Sequence, residues 1–131
     1  MALDPAALPP DVLAFLTERH LATLTTLRPD GSPHVVPVGF VFDPGDGLAR
    51  VISFAGSTKV RNLAHAPGSR AVVCQVDGGR WLALEGTATV TAVPDRVARA
   101  VTAYTARYRP PRDRENRVAI EITVDRVLGR A

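Results

Sequence analysis

The chain is poor in cysteine, in lysine and in aromatic side chains. One cysteine in 131 residues, Cys74, excludes an internal disulfide framework. Its place in an apolar run predicts a buried, inert thiol rather than a nucleophile. Aromatic residues make up 5%, too few for the stacking surface with which proteins hold single-stranded nucleic acid. No apolar run is long enough to span a bilayer, and Met1-Ala2-Leu3-Asp4-Pro5 lacks the basic segment and apolar core of a secretory signal. His20, His34 and His65 fall on different predicted elements without paired-ligand spacing, so no metal centre is expected. The GxGxxG and Walker patterns are absent, and neither Ser53 nor Ser57 has a histidine close in sequence. These absences point to a cytoplasmic protein with neither membrane nor nucleic acid as partner. If it is an enzyme, a cofactor carries the hard chemistry.

What is present fits one domain with one core. Hydrophobic residues make up 46% and charged residues 22%, as in an ordinary globular chain. The net charge is +3 and the pI about 9.7, which suits a small anionic ligand. Basic residues cluster only at Arg107, Arg109, Arg112, Arg114 and Arg117. That group suits a long anionic tail or substrate carboxylates, or else is a solvated linker.

Residues 1–10 are rich in alanine and proline and read as a mobile lead-in, with residues 11–131 as the single domain. Pro9-Pro10-Asp11 opens a helix whose apolar stripe is Val12, Leu13, Phe15 and Leu16 and which ends near Arg19-His20. A Thr-rich strand, 20–28, meets the turn Arg28-Pro29-Asp30-Gly31-Ser32 and then a second strand, 33–42. Pro37 inside that strand removes a ladder donor, which marks an edge, a bulge or a ligand against the backbone. Further strands are predicted over 49–54, 70–76, 80–90 and 117–128, with a bulge at Gly86. A short helix passes through Leu63-Ala64-His65, and a longer one runs from Pro94-Asp95 to Pro110-Pro111 with Val97, Val101, Tyr104 and Tyr108 on one face. In the last strand Val118, Ile120, Ile122 and Val124 face inward against Arg117, Glu121 and Thr123. About six strands joined by tight turns argue for a small barrel filled by its own side chains, with any sizeable ligand outside it.

The stretch Ser53-Phe54-Ala55-Gly56-Ser57-Thr58-Lys59-Val60-Arg61-Asn62 stands where a strand runs through a small-residue turn into a helix. Free amides and the helix dipole favour an anion at such a turn. Lys59 is the only lysine; the rest of the 16 basic residues are arginine. A compact ammonium reaches a phosphate as a point charge. Spacing alone leaves a phosphate site and a solvated helix surface equally open. Trp81, the one tryptophan, is either a stacking surface for a flat ring or a cap on the core.

Taken together, Leu21-Ala22-Thr23-Leu24-Thr25-Thr26-Leu27, Asp30-Gly31-Ser32-Pro33-His34-Val35-Val36-Pro37-Val38 and Ser57-Thr58-Lys59-Val60-Arg61-Asn62 resemble the flavin and deazaflavin split β-barrel family, the pyridoxamine 5′-phosphate oxidase-like proteins. Glu18-Arg19-His20-Leu21-Ala22, Gln75-Val76-Asp77-Gly78-Gly79-Arg80-Trp81-Leu82, Ala106-Arg107-Tyr108-Arg109-Pro110 and Arg126-Val127-Leu128-Gly129 are similar to its F420-dependent biliverdin reductase branch. The resemblance runs from about Leu13 to Gly129. It implies a mainly β split barrel with short helices, assembled as a homodimer. It implies coenzyme F420 as cofactor, with FMN as the alternative, and hydride transfer to a planar conjugated anion such as biliverdin. Ser57, Thr58 and Lys59 would hold the cofactor phosphate, with Arg61 and Asn62 beside it. Pro37, Val38, Ser53 and Phe54 would line the ring, and Gln75 and Trp81 would complete the pocket, Trp81 or Gln75 from the other subunit. His34 and Arg80 are the candidate proton donors. The alternatives are an FMN-dependent oxidase of the pyridoxamine-phosphate type and a non-catalytic flavin, F420 or haem-like carrier.

Overall fold

The computed structural model describes residues 2–131. Its chain order is β1 (Ala2–Leu3), α1 (Pro10–Thr17), β2 (Ala22–Leu27), β3 (Pro33–Val38), β4 (Val41–Asp43), β5 (Leu48–Phe54), α2 (Thr58–His65), β6 (Arg70–Asp77), β7 (Arg80–Thr91), α3 (Pro94–Arg107) and β8 (Arg117–Arg130). The sheet order is β3-β2-β6-β7-β8-β5-β4, all antiparallel, with β1 added to β8.

That order explains the shape. The two edge strands, β3 and β4, are consecutive in the chain and separated only by Gly39 and Phe40. A sheet whose opposite edges are joined by so short a link must curl round on itself, so it forms a barrel split along one seam. The sequence predicts one continuous strand over 33–42, whereas the structure breaks it at this seam. Phe40 turns wholly inward there, which a flat continuation of β3 would not allow. Pro37 lies on the edge strand, opposite Thr23, where its missing N–H costs no ladder bond.

The core follows strand alternation. Leu24, Val73, Leu82, Leu84, Ile120, Ile122 and Val127 face inward and are fully buried. α1 closes one end with Val12, Phe15 and Leu16. Helix α2 follows β5 and inserts Val60 and Leu63. The register of β7 against β8 shifts between Glu85 and Gly86, the expected bulge. A Cβ at Gly86 would stand 1.9 Å from the Thr123 carbonyl oxygen.

Two expectations are corrected. The lead-in is tied down: Ala2–Leu3 pairs with Leu128–Val127, and Leu8 joins the core; Met1 lies outside the described residues. Glu121 faces α3 rather than solvent. It is buried and accepts from Nε and Nη2 of Arg96 at 3.0–3.1 and 2.7 Å. Ala119 is buried on the same strand, so the middle of β8 is covered on both faces.

Gly86→Ala is expected to lower stability by about 1–3 kcal/mol, because the methyl group meets backbone that cannot rotate away. A fall in the urea midpoint checks this; an unchanged midpoint would show that the bulge opens freely.

Candidate active site

The seam is held by the end of α3. Arg107 is buried and donates from Nε to the Glu18 carbonyl at 2.9 Å, from Nη1 to the Phe40 carbonyl at 2.6 Å and from Nη2 to Oε1 of Gln75 at 2.7 Å. Its guanidinium lies over the Phe40 ring. Burial pushes its pKa down, opposed by Tyr108 and by the Glu18 charge. Tyr108 adds a second clamp. Its hydroxyl donates to the His20 carbonyl at 2.6 Å and accepts from the Phe40 amide at 3.2 Å. Tyr104 and Tyr108 then pack on Gly39 so closely that a Cβ there would meet each ring at 2.9 Å.

Beside this clamp opens a cleft of about 520 Å³. Its walls include Pro37 and Val38 of β3, Ile52 of β5, Lys59 of α2 and Tyr104 of α3. Arg109, Arg112, Arg114 and Arg117 also line it. Among the described residues none of these four arginines, nor Lys59, is in an ion pair. Burial first, and then the like charge of Arg114, holds the Lys59 ammonium below its usual pKa. Both effects disfavour the cation, and an entering anion reverses the second. The first amides of α2, at Thr58 and Lys59, have no intrahelical acceptor. Arg114 also lies over the Phe54 ring, 4.1 Å from its centroid.

The other expected residues divide. Ser57 caps α2, its Oγ accepting from the Val60 amide, and shares a 2.9 Å hydroxyl contact with Ser53. Both serines are buried under the turn and not in the cleft wall. Thr58 is half-buried and Arg61 exposed on α2. Asn62 turns inward and donates to Oγ1 of Thr26 at 3.0 Å. Gln75 does not reach the cleft. It is wholly buried, its Nε2 donates to the Phe15 carbonyl and its Oε1 serves Arg107. Trp81 lies 37% exposed with Leu128, Gly129 and Arg130, on a different wall from the cleft. His34 is half-buried on β3 opposite Thr26, and its Nδ1 has no hydrogen-bond partner. Cys74 is half-buried rather than buried, and burial pushes its thiol pKa up.

Arg80 is held elsewhere. It bonds both oxygens of Glu18 at 2.9–3.0 Å and Asp77 at 2.5 Å. His20 joins at 3.0 Å from Glu18. Glu18, His20 and Asp77 gather their ligand atoms within 4.8 Å, a grouping invisible in the spacing. The Arg80 guanidinium already supplies the cation between the two carboxylates. Neither His34 nor Arg80 lines the cleft. The sequence reading missed Gly39 and the close approach of the tyrosines. A helix face of Val97, Val101, Tyr104 and Tyr108 hinted at the latter, but only the seam gives those rings a target.

The profile of the pyridoxamine 5′-phosphate oxidase family matches residues 8–131. The chain belongs to that family. An F420H(2)-dependent biliverdin reductase from Mycobacterium tuberculosis is 55% identical over 121 residues, covering 92% of this chain and 87% of the relative. A solved F420 reductase superposes with a TM-score of 0.73 at 25% identity, covering 92% of this chain and 98% of its own. A conserved hypothetical protein of Mycobacterium tuberculosis superposes with a TM-score of 0.78 at 24% identity, covering 94% and 84%, a likeness of fold alone. The split barrel seen here is thus the fold of this oxidase family.

Two outcomes follow. Arg80, and then His20, hold the Glu18 carboxyl at about 2. Their stabilisation is therefore complete above the ordinary value of 4.5 and is lost as pH falls toward 2. A carboxyl-carbon NMR titration should find that low midpoint, and Arg80→Ala should return it toward 4.5. Gln75→Leu leaves Nη2 of Arg107 and the Phe15 carbonyl without partners, and should cost about 1–3 kcal/mol in urea unfolding. A stable variant would remove Gln75 from the seam.

Proposed function

We propose that this protein is an F420-dependent reductase that passes a hydride to a conjugated acceptor, with biliverdin as substrate. The observation that carries the reading is the 55% identity, spread over 92% of the chain, with an F420H(2)-dependent biliverdin reductase. The cleft supports it independently. A half-buried lysine, the open amides of a helix start and several unpaired arginines make a site suited to an anion.

In this reading Lys59, with the amides of Thr58 and Lys59 behind the Ser57 cap, holds the cofactor phosphate, and Arg61 stands on the same helix. Arg112, Arg114 and Arg117 attract the carboxylates of the cofactor's tail. Pro37 and Val38 would border the ring, with Phe54, on which the Arg114 guanidinium stacks, beside them. Ser53 and Asn62 act one layer deeper, by fixing the Ser57 turn and the far end of α2. When bound, reduced F420 would supply the hydride, biliverdin would accept it at its central methine carbon, and a proton from solvent or a nearby donor would complete bilirubin. The chain's own work is electrostatic and steric: it gathers cations around two anionic partners and walls them with tyrosine rings.

A homodimer belongs to the proposal. Leu27, Val35, Val76 and Trp81 are exposed large apolar side chains. Strand alternation puts all of them on the outer face of the adjoining strands β3, β2, β6 and β7. A second copy on this face would cover them and bring its own Trp81 toward the cleft beside Pro37.

Lys59→Ala should weaken F420 binding by about 1.5–3 kcal/mol, the worth of a hydrogen bond to a charged group. The measurement is a fluorescence titration of wild type and variant with F420 and, separately, with FMN. Unchanged F420 affinity in the folded variant would take Lys59 out of the site, and preference of the wild type for FMN would overturn the cofactor assignment.

A further inference from the structure

A second hollow, of about 360 Å³, lies against the cleft and is lined by Arg19, Leu21, Tyr104, Tyr108 and Arg109. Tyr104 and Arg109 line both spaces, whereas Lys59 lines only the first. A single ring and a single guanidinium therefore divide the wall that carries the helix-start anion site from the hollow.

The chemistry of the hollow is distinct. Arg19 and Arg109 are exposed, and among the described residues neither is in an ion pair. Leu21 is 66% exposed although apolar. The rings of Tyr104 and Tyr108 stand 4.9 Å apart at 36°, a tilted aromatic wall. Tyr108 cannot swing away, because its hydroxyl is bonded to the His20 and Phe40 backbone. A rigid aromatic wall, an uncovered leucine and two unpaired guanidinium groups complement a flat conjugated body that carries carboxylates on short arms.

We infer that this hollow is the carboxylate subsite of the acceptor, in which Arg19 and Arg109 receive the propionates of the conjugated substrate. The inference rests on the reductase reading above and divides the cations of that site. Lys59, Arg112, Arg114 and Arg117 serve the cofactor's anions, Arg19 serves the substrate, and Arg109 stands between them. Arg19 makes no side-chain hydrogen bond or ion pair among the described residues, so its charge is available to a ligand and its replacement breaks neither.

The test compares wild type with Arg19→Gln and Arg19→Lys, using biliverdin and biliverdin dimethyl ester at saturating reduced F420, together with F420 titrations. Arg19→Gln should raise KM for the diacid about tenfold and narrow the difference between diacid and diester by the same factor. Arg19→Lys should recover part of the loss. The Kd for F420 should be the same in all three proteins. An unchanged diacid KM in Arg19→Gln, or an equal rise for the diester, overturns the subsite while leaving the reductase reading intact. A parallel loss of F420 affinity also overturns it, by moving Arg19 to the cofactor. A wild type that neither binds F420 nor reduces biliverdin overturns the reductase reading, and the subsite falls with it.

Discussion

A buried guanidinium that meets no carboxylate among the described residues holds this structure together. Arg107 satisfies its donors on two backbone carbonyls and one amide oxygen, from the end of α1, the seam of the barrel and strand β6. An isolated buried charge is costly unless every donor finds an acceptor in good geometry. One short bond from each nitrogen and an aromatic face offset much of that cost. The barrel needs such a bolt because its edge strands meet across Gly39 and Phe40 without ladder hydrogen bonds. Tyr108, next in sequence, closes the same joint through the Phe40 amide. The chain leaves α3 immediately afterwards, so the bolt that shuts the seam also sets where Arg109, Arg112, Arg114 and Arg117 emerge. Fold and site share one anchor.

The modest net charge of +3 becomes a strong local field by the placement of the acids. Asp43 and Asp46 hold Arg50 and Arg99. Glu121 holds Arg96, Asp125 holds Arg70, and Glu18 and Asp77 hold Arg80. These pairs lie along α3, at the strand ends and at the α1 end of the barrel. Of the cations outside these pairs, Lys59, Arg19, Arg109, Arg112, Arg114 and Arg117 line the cleft and the adjoining hollow, whereas Arg28, Arg61, Arg126 and Arg130 lie elsewhere. Charges concentrated in a concave, partly dry site act on an anion more strongly than the same charges spread over a surface. In the proposed site, lysine would suit the half-buried helix start because a point charge can meet a single phosphate oxygen, where a planar fork would need two acceptors.

Much of this was legible in the chain. Hairpins announced themselves through Pro29-Asp30-Gly31 and Asp77-Gly78-Gly79, Gly86 marked its bulge, and Pro37, which suited an edge, a bulge or a ligand against the backbone, lies on the edge strand. Lys59 stood out by being the only one of its kind. The residues that escaped are those whose role depends on what lies across from them. Glu121 alternates correctly for a solvent-facing side chain, and only the return of α3 over β8 buries it. Gln75 sits in a motif that suits a pocket, yet its register places it inside the barrel, where Arg107 needs an acceptor. The arginine cluster looks uniform in sequence, but only two residues, across the end of α3, separate the buried bolt, Arg107, from Arg109, which lines the cleft. Periodicity reports which face a residue is on; it does not report what will cover that face.

The seam also bears on assembly. A barrel this small is filled by its own side chains, so a flat ring can only lie against its outside. Pro37 borders the cleft from the edge strand, and Val35, two residues earlier on the same outer face, is 55% exposed. The cleft therefore opens at the margin of the broad apolar face that runs across β3, β2, β6 and β7. The proposed second copy, seated on that face, would bury the apolar side chains and, with the same contact, add a wall to the cleft. In that arrangement cofactor enclosure and dimerisation would be one event, with Trp81, which does not line its own cleft, offered to its neighbour's.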